Sequence, residues 1–108
     1  MDDTQELARL FKALSDPNRL KILRLLRECC PAGCRATETD ESNTVSRLAD
    51  QFDLSLSTVS HHLKELRIAG LIVCEKRRQT VYCAPNEEVL RKLDAYLKSV
   101  IQFPGSDN

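Results

Sequence analysis

The chain has no tryptophan and few aromatic residues, two tyrosines and three phenylalanines among 108 residues. It also has no net charge, because 16 lysines and arginines balance 16 aspartates and glutamates. A chain of this length and composition builds one domain with a modest hydrophobic core. The charge balance argues against a generic polycation that coats nucleic acid, so any DNA binding has to rely on local basic patches.

Long apolar segments are also missing, since no run approaches the roughly 20 residues of a membrane span. The first residues, MDDTQEL, show no signal-peptide pattern, so we expect a cytoplasmic protein with no membrane partner. Its five cysteines would then be mostly reduced thiols, and their odd number argues against a framework of structural disulfides. No Ser/His/Asp arrangement or activated carboxylate pair supports an enzyme.

The segment Leu54–Leu71 predicts a turn followed by an amphipathic helix, Leu56–Ala69. One face of this helix is apolar, and the other carries short hydroxyls and imidazoles, which suit base edges and phosphates. A shorter amphipathic helix, Val45–Phe52, precedes it, and the tight link Asp53–Ser55 joins the two. This arrangement predicts a helix-turn-helix.

A solvated αα-hairpin would show the same pattern, and the residues that follow favour DNA binding instead. Gly70 is suited to end the helix, and the next segment, LIVCEKRRQTVYCAP, holds two short β-type runs around the basic tip Lys76–Arg78. A helix-turn-helix followed by such a hairpin is a winged helix. Its wing places cations beside the phosphate backbone while the helix enters the groove.

Three further helices complete the prediction. They are Thr4–Leu14, Pro17–Cys29 with Asp16 as its cap, and Glu87–Gln102. The segment Cys30–Asn43, rich in Pro, Gly, Ser and Thr, predicts a long loop. The last helix has an apolar face wider than one domain needs, which favours either a dimer surface or a single wide core helix.

The predicted fold class is therefore mainly α with a small β-hairpin, a winged helix-turn-helix. We expect one domain over residues 1–103, with an extended loop at 30–43 and a disordered tail at 104–108.

Three segments resemble the ArsR/SmtB family of bacterial and archaeal repressors. They are LFKALSDPNRLKILRLL (Leu10–Leu26), STVSHHLKELRIAGLI (Ser57–Ile72) and the wing pair Val81–Tyr82. The resemblance covers nearly the whole chain. It implies a homodimeric winged-helix repressor that leaves its operator when an inducer binds, the inducer being a soft or transition metal in many members and reactive sulfur or an oxidant in some.

The resemblance also indicates which residues contact the partners. It implies binding to double-stranded DNA at a palindromic operator through the second helix of the pair and the wing: Ser57, Thr58, Ser60, His61, His62, Lys64, Arg77 and Arg78. The terminal helices supply the expected dimer interface: Leu7, Leu10, Leu90, Leu93 and Leu97.

Two sites familiar from metal-sensing relatives are absent here. The start of the third helix, Thr44–Leu48, has Thr and Ser where many relatives carry a CxC-type motif. The last helix, Glu87–Gln102, has no His, whereas other relatives bind zinc there through Asp and His. A metal site would therefore have to lie elsewhere in the chain.

The candidate is the cluster Cys29, Cys30 and Cys34, at the junction of the second helix and the long loop. Three thiolates without a nearby His suit a three-coordinate ion and favour As(III) over Zn(II), which normally takes a fourth ligand. Hg(II), Cd(II) and Pb(II) remain alternatives. Oxidation of the same cysteines, or their packing as small hydrophobes, would also explain the cluster.

Two more cysteines, Cys74 and Cys83, fall on the predicted wing strands and are directly opposed if the turn centres between Arg78 and Gln79. Opposed Cβ atoms lie about 4.5–5.5 Å apart, wider than the roughly 3.8 Å of a relaxed disulfide. We therefore expect these two residues to serve in packing.

The sequence thus predicts a repressor that a thiophilic metal or metalloid, As(III) in the first place, releases from DNA, with no required cofactor. One alternative is a redox or reactive-sulfur sensor that uses the same cysteines. Another is a protein–protein interaction module without DNA binding, which the zero net charge favours.

Overall fold

A computed structural model describes residues 3–29, 34–35, 44–77 and 80–102. These ranges hold five helices and a three-stranded sheet. The helices are α1 (Asp3–Ala13), α2 (Pro17–Cys29), α3 (Thr44–Phe52), α4 (Leu56–Ala69) and α5 (Glu87–Ile101). The strands are β1 (Cys34–Arg35), β2 (Ile72–Arg77) and β3 (Thr80–Pro85). The predicted winged helix-turn-helix is confirmed, and the predicted helices agree with these bounds to within a residue.

The sharp turn between α1 and α2 depends on Asp16. Its Oδ1 accepts hydrogen bonds from the backbone N–H groups of Asn18 at 2.8 Å and Arg19 at 3.3 Å. Pro17 follows as the first helical residue, where no amide donor is needed. Asp16 therefore caps α2, as the sequence predicted.

The turn between α3 and α4 contains a left-handed residue that is not glycine. Asp53 has φ of 55°, a conformation that Asp tolerates better than most residues. The N–H of Leu54 donates to the carbonyl of Ala49 at 2.8 Å, and that of Asp53 to Asp50 at 3.4 Å. This Schellman pattern ends α3 and turns the chain so that α4 begins a few residues later.

The other end of α4 is tied to α5. Gly70 has φ of 89° and ends the helix, its N–H donating to the carbonyl of Arg67. The side-chain amide of Asn86 donates to the carbonyl of Gly70 at 3.0 Å, and its oxygen accepts from the N–H of Val89 at the start of α5. One side chain thus links the end of α4 to the beginning of α5.

The wing is a three-stranded antiparallel sheet in the order β1-β3-β2. The register of β2 with β3 places Cys74 opposite Cys83, as predicted from the position of the turn. The sequence predicted a loop throughout 30–43, yet Cys34 and Arg35 pair with β3 and add a third strand. Two residues are too few to give a sheet periodicity, so only the pairing partner reveals this strand.

Apolar side chains from all five helices and from the wing form one core. The fully buried ones include Ile22 and Leu26 of α2, Leu66 of α4 and Ile72 of β2. Burying a side chain of this kind contributes about 1.5–3 kcal/mol relative to leaving it exposed. Because this core joins α2, α4 and the wing, it fixes the position of α4 relative to the sheet.

The expected dimer-interface residues do not form one surface. Leu10 and Leu93 are only 1% and 6% exposed because they belong to the core of their own protomer, so the prediction was wrong for these two. Leu7 and Leu90 are half-buried and pack against the same core. Leu97 is 48% exposed. Helical spacing identifies an apolar face, but it does not tell which part of that face the protomer covers itself.

The apolar side chains that remain exposed on the terminal helices share only Leu97 with the expected interface. Phe11 of α1 meets Tyr96 of α5 edge-on, with ring centroids 5.9 Å apart. We call the exposed apolar surface of these helices the terminal-helix face: Phe11, Tyr96, Leu97, Val100 and Ile101.

Several predictions lie outside the described residues: those for Cys30, for Arg78, for the tail 104–108 and for most of the loop 30–43. Among the helices that the structure describes, none is long and apolar enough to span a bilayer.

Candidate nucleic-acid interface

One face of α4 is exposed along the whole helix. Ser57, His61, Lys64 and Ile68 are exposed and stand at i, i+4, i+7 and i+11, the spacing of a single helical stripe. The opposite side is buried in the core: Val59, Leu63 and Leu66. An α-helix fits the major groove of B-DNA, and this stripe is the side of α4 that is available to enter it.

Hydroxyl groups cluster at the N-terminus of α4. Ser55 caps the helix, and its Oγ accepts a hydrogen bond from the N–H of Thr58 at 3.1 Å. The same Oγ lies 2.8 Å from Thr58 Oγ1 and 3.1 Å from Ser57 Oγ. A helix N-terminus carries partial positive charge and favours anions such as phosphate. Hydroxyls at this end can therefore donate to a phosphate while they hold the cap.

His62 was expected beside His61 in the DNA contact, and the structure corrects this expectation. Its side chain is 7% exposed, and its Nδ1 accepts a hydrogen bond from Nε of Arg19 at 3.2 Å. Arg19 also donates from Nη1 to the carbonyl of Ala13 at 3.3 Å. Neighbouring residues on a helix point about 100° apart. When His61 faces solvent, His62 therefore points toward the interior.

The wing carries the second basic group of the predicted interface. Lys76 is exposed on β2, Arg77 is the last residue of that strand, and Arg78 lies outside the described residues. Lys76 and Arg77 thus occupy the last two positions of β2, and basic residues on a wing strand suit contacts to the backbone beside the groove.

A small open cleft of about 170 Å³ separates α4 from the wing. On the α4 side it is lined by Ser60, Lys64 and Arg67, and on the wing side by Cys74 and Cys83. We call this space the wing cleft. It places two thiols beside the helix that would read DNA.

The two wing cysteines differ in exposure, although they share a hydrogen bond. Cys74 is exposed, whereas Cys83 is 2% exposed and belongs to the core. Their sulfur atoms are 2.8 Å apart. The expected packing role therefore suits Cys83 and does not account for Cys74.

The environment favours the thiolate form of Cys74. The hydrogen bond with Cys83 lowers the pKa of Cys74 to about 7 from its ordinary value of 9.0. Partial burial opposes this change, and the positive charge of Arg67 assists it. Cys74 therefore forms its thiolate at a lower pH than an ordinary cysteine does.

The predicted ligand cluster is divided between two elements. Cys29 is the last residue of α2, Cys34 is the first residue of β1, and Cys30 lies outside the described residues. Within the described ranges, no group of three His, Cys, Asp or Glu residues is arranged to hold a metal ion. The backbone register nevertheless places Cys34 opposite Cys83, a neighbour that sequence spacing does not indicate.

Sequence reasoning missed two exposed residues, the cap Ser55 and the α4 residue Ile68. Ser55 was assigned only to the link, although an N-cap signal, Ser before an amphipathic helix, is present in the sequence. Ile68 is 64% exposed and extends the stripe beyond Lys64. Its position could have been found by continuing the i, i+4, i+7 series to the end of the helix.

Comparisons with known proteins agree with this geometry. A family model described as a helix-turn-helix domain matches residues 14–75. The crystal structure of the ArsR family transcriptional regulator RHA00566 superimposes with a TM-score of 0.73 at 25% identity, covering 99% of this chain and 98% of that one. The uncharacterized HTH-type transcriptional regulator YbzH of Bacillus subtilis is 38% identical over 97 residues, which are 85% of this chain and 95% of that relative.

The chain belongs to the ArsR/SmtB family of winged-helix transcriptional regulators. Two further relatives have more specific names. The transcriptional repressor SdpR of Bacillus subtilis is 34% identical over 82 residues, which are 76% of this chain and 78% of SdpR. The arsenic resistance transcriptional regulator ArsR1 of Pseudomonas putida is 30% identical over 95 residues, which are 85% of this chain and 63% of ArsR1.

A second solved structure that this chain resembles is homodimeric. It is the winged helix-turn-helix DNA-binding domain of Mb0332 from Mycobacterium bovis, with a TM-score of 0.62 at 27% identity. The match covers 94% of this chain and 87% of that one.

Proposed function

We propose that this ArsR/SmtB regulator is a transcriptional repressor that binds double-stranded DNA as a homodimer and is released by a thiophilic metal or metalloid. The observation that carries the DNA-binding part is the exposed stripe of α4, with Ser57, His61 and Lys64 on one line and a hydroxyl cluster at its beginning. A helix placed beside a basic wing suits one major groove and its flanking backbone.

The terminal-helix face supports the dimer. Leu97, Val100 and Ile101 are exposed on α5, and apolar surface of this kind is stabilised by a partner that excludes water. The homodimeric state of Mb0332 supports the same assembly. Two copies related by a two-fold axis would present two α4 helices, which implies a palindromic operator with half-sites about one helical turn apart.

For the inducer we favour As(III), with Cys29, Cys30 and Cys34 as its ligands. Three thiolates are a suitable donor set for a three-coordinate soft ion, and similarity to the arsenic resistance regulator ArsR1 supports the choice. Hg(II), Cd(II), Pb(II) and Zn(II) are the competing ions. Oxidation or reaction of these cysteines with reactive sulfur is the alternative that uses the same residues.

The fold offers a direct route from this cluster to the DNA-reading parts. Cys29 ends α2, and Arg19 of the same helix holds His62 of α4. Cys34 belongs to β1, which pairs with β3 of the wing. An ion bound at both ends of the intervening segment would therefore act on α4 and on the wing together. Coupling of this kind is typically about 1–3 kcal/mol.

An operator-release assay tests the proposal. Reduced protein bound to operator DNA is titrated with arsenite, Hg(II), Cd(II), Pb(II) and Zn(II), and separately with peroxide and polysulfide. The same titrations are repeated on the Cys29/Cys30/Cys34→Ser variant. We expect arsenite to release the wild type and not the variant. Release by oxidants alone contradicts the metal assignment, and arsenite release that persists in the variant contradicts the cluster.

The variant Arg77/Arg78→Ala tests DNA binding itself. Removing two phosphate contacts from each protomer, and thus four from the homodimer, should reduce operator affinity and lower the slope of log K against log salt by about 3 to 4. Unchanged binding and an unchanged slope would favour a protein–protein module that has kept the winged-helix shape.

A further inference from the structure

Three cysteines from distant parts of the chain occupy one row of the wing sheet. Cys83 lies on the central strand β3, with Cys74 opposite it on β2 and Cys34 opposite it on β1. The row forms only when β1 joins the sheet, and therefore it depends on tertiary structure. Because β3 is the central strand, Cys83 lies opposite a cysteine on each of its two neighbouring strands.

The pair formed by Cys74 and Cys83 has the geometry of a reactive dithiol. Its sulfur atoms are 2.8 Å apart, and a disulfide needs them at about 2.05 Å. The two sulfur atoms would therefore have to move together by less than about 1 Å to form the bond. We propose that Cys74 and Cys83 are an oxidation site, in which Cys74 reacts with a hydroperoxide and Cys83 closes an intramolecular disulfide.

The difference in exposure assigns the two roles. Cys74 is exposed at the wing cleft and can meet an oxidant from solvent, whereas Cys83 is 2% exposed. Lys64 and Arg67 line the same cleft, and positive charge near a cysteine favours its reactive thiolate. An accessible thiolate beside a second cysteine is the arrangement that characterises oxidation-sensitive sites.

The chemistry requires one hydroperoxide per pair. The Cys74 thiolate attacks one peroxide oxygen, so that an S–O bond forms, the O–O bond breaks, and the departing hydroxide takes up a proton as water. Cys74 is then a sulfenic acid. Cys83 loses its proton and attacks the Cys74 sulfur, forming the S–S bond and releasing the sulfenic oxygen as a second water. Two thiols and hydrogen peroxide thus give one disulfide and two waters.

The disulfide should be easy to reverse. Directly opposed residues on neighbouring strands hold their Cβ atoms about 4.5–5.5 Å apart, and a relaxed disulfide prefers roughly 3.8 Å. Strained disulfides are reduced more readily than relaxed ones. We therefore expect a small dithiol reductant to restore both cysteines.

The consequence for DNA rests on the proposed repressor function. The oxidised pair would draw β2 toward β3 at the wing cleft, next to Lys64 and Arg67 of α4 and three residues before Arg77. We expect this change to lower operator affinity by about 5- to 150-fold, the usual range for coupling between sites. This pair shares no residue with the proposed ligand set Cys29, Cys30 and Cys34, although Cys34 lies opposite Cys83, so it would add a response to oxidants.

The test follows the thiols directly and needs no DNA. Reduced wild-type protein is treated with increasing hydrogen peroxide, the remaining thiols are blocked, and the peptides are mapped by mass spectrometry with and without dithiothreitol. The matched variants are Cys74→Ser, Cys83→Ser and Cys34→Ser, each checked for wild-type helix content by circular dichroism. Cys83→Ala replaces Cys83→Ser if the serine variant does not fold.

In the wild type and in Cys34→Ser we expect a Cys74–Cys83 disulfide that lacks two hydrogen atoms and is reversed by dithiothreitol. In Cys83→Ser, dimedone should trap a sulfenic acid at Cys74. In Cys74→Ser, Cys83 should react at least about tenfold more slowly because it is buried. A wild type whose Cys74 survives oxidation, or a Cys34–Cys83 disulfide in its place, would overturn the proposal.

A DNA measurement then separates this proposal from the repressor function. Operator affinity is compared for reduced and oxidised Cys29/Cys30/Cys34→Ser protein, which keeps the wing pair alone. An oxidised sample of confirmed disulfide content that binds as tightly as the reduced one would contradict the regulatory consequence. If the reduced protein does not bind operator at all, the proposed repressor function is contradicted. The proposed thiol chemistry is then still tested by the mass-spectrometric mapping of the disulfide.

Discussion

Nε of Arg19 in α2 donates a hydrogen bond to Nδ1 of His62 in α4 at 3.2 Å. This contact joins the helix that ends at Cys29 to the helix that would enter DNA. It also separates two adjacent histidines, since His61 is exposed and His62 is buried. The two residues should therefore respond to substitution in opposite ways.

We expect His62→Ala to destabilise the fold by about 2 kcal/mol, because it leaves a cavity and removes the acceptor of Arg19. His61→Ala should change stability by less than about 0.5 kcal/mol and reduce operator affinity by about two- to tenfold. Urea unfolding and fluorescence anisotropy measure the two quantities on the same samples. Equal loss of stability in both variants would contradict the assignment.

Asp16 should contribute stability that depends on pH. Burial acts to raise the pKa of its carboxyl, but the hydrogen bonds from Asn18 and Arg19 outweigh this effect, so the pKa lies below the ordinary 3.8. A lowered carboxyl pKa gives stability that is present above the unfolded value and lost as pH falls through the folded value. We expect Asp16→Ala to cost about 1 kcal/mol at pH 7.

Thermal or urea unfolding from pH 7 to pH 2.5 checks the sign. The stability difference between wild type and Asp16→Ala should shrink as pH falls below 3.8. Asp16→Asn is the control, since its amide oxygen still accepts from the helix. A difference that grows toward low pH would be inconsistent with a charged cap.

Leu97 lies within the terminal-helix face and is 48% exposed. We expect Leu97→Glu to shift the protein from dimer to monomer, because a charge in an apolar interface has to be desolvated. Sedimentation velocity measures the shift, and operator affinity should fall by at least about tenfold. Ser99→Glu introduces the same charge on another side of α5 and should leave the dimer intact. Dissociation of both variants alike would point to a general charge effect.

Cys74 should react at neutral pH, because its pKa is about 7. Its alkylation by iodoacetamide, followed peptide by peptide, should rise with pH and reach half its maximum near pH 7. In Cys83→Ser the pH of half-maximal alkylation should change, because the thiol that hydrogen-bonds to Cys74 is replaced by a hydroxyl. The positive charges of Arg67 and Lys64 are unchanged in this variant. A wild-type half-maximum near 9 would contradict the described environment.

The helices and the hairpin follow from local sequence signals. Each of these signals determines the conformation of residues close to it in sequence. Examples are the Asp16–Pro17 pair, the apolar spacing from Leu56 to Leu66 and the position of Gly70. Their effects are therefore readable without a structure. The opposition of Cys74 and Cys83 was predictable for the same reason, because a hairpin turn fixes its own register.

The errors concern contacts between elements that are far apart in sequence. Leu10 and Leu93 were expected at a dimer surface, yet packing between elements places them in the core. His62 was expected to contact DNA, yet it is buried and accepts a hydrogen bond from Arg19 of another helix.

The sequence by itself determined a winged helix-turn-helix with a polar reading helix, a basic wing and an excess of thiols. Hydrophobic spacing and capping are local, and they suffice for that much. Only the tertiary structure decided which histidine faces outward and which leucines remain exposed. It also placed Cys34 opposite Cys83, because the pairing of strands that are far apart in sequence is set by packing among all the elements.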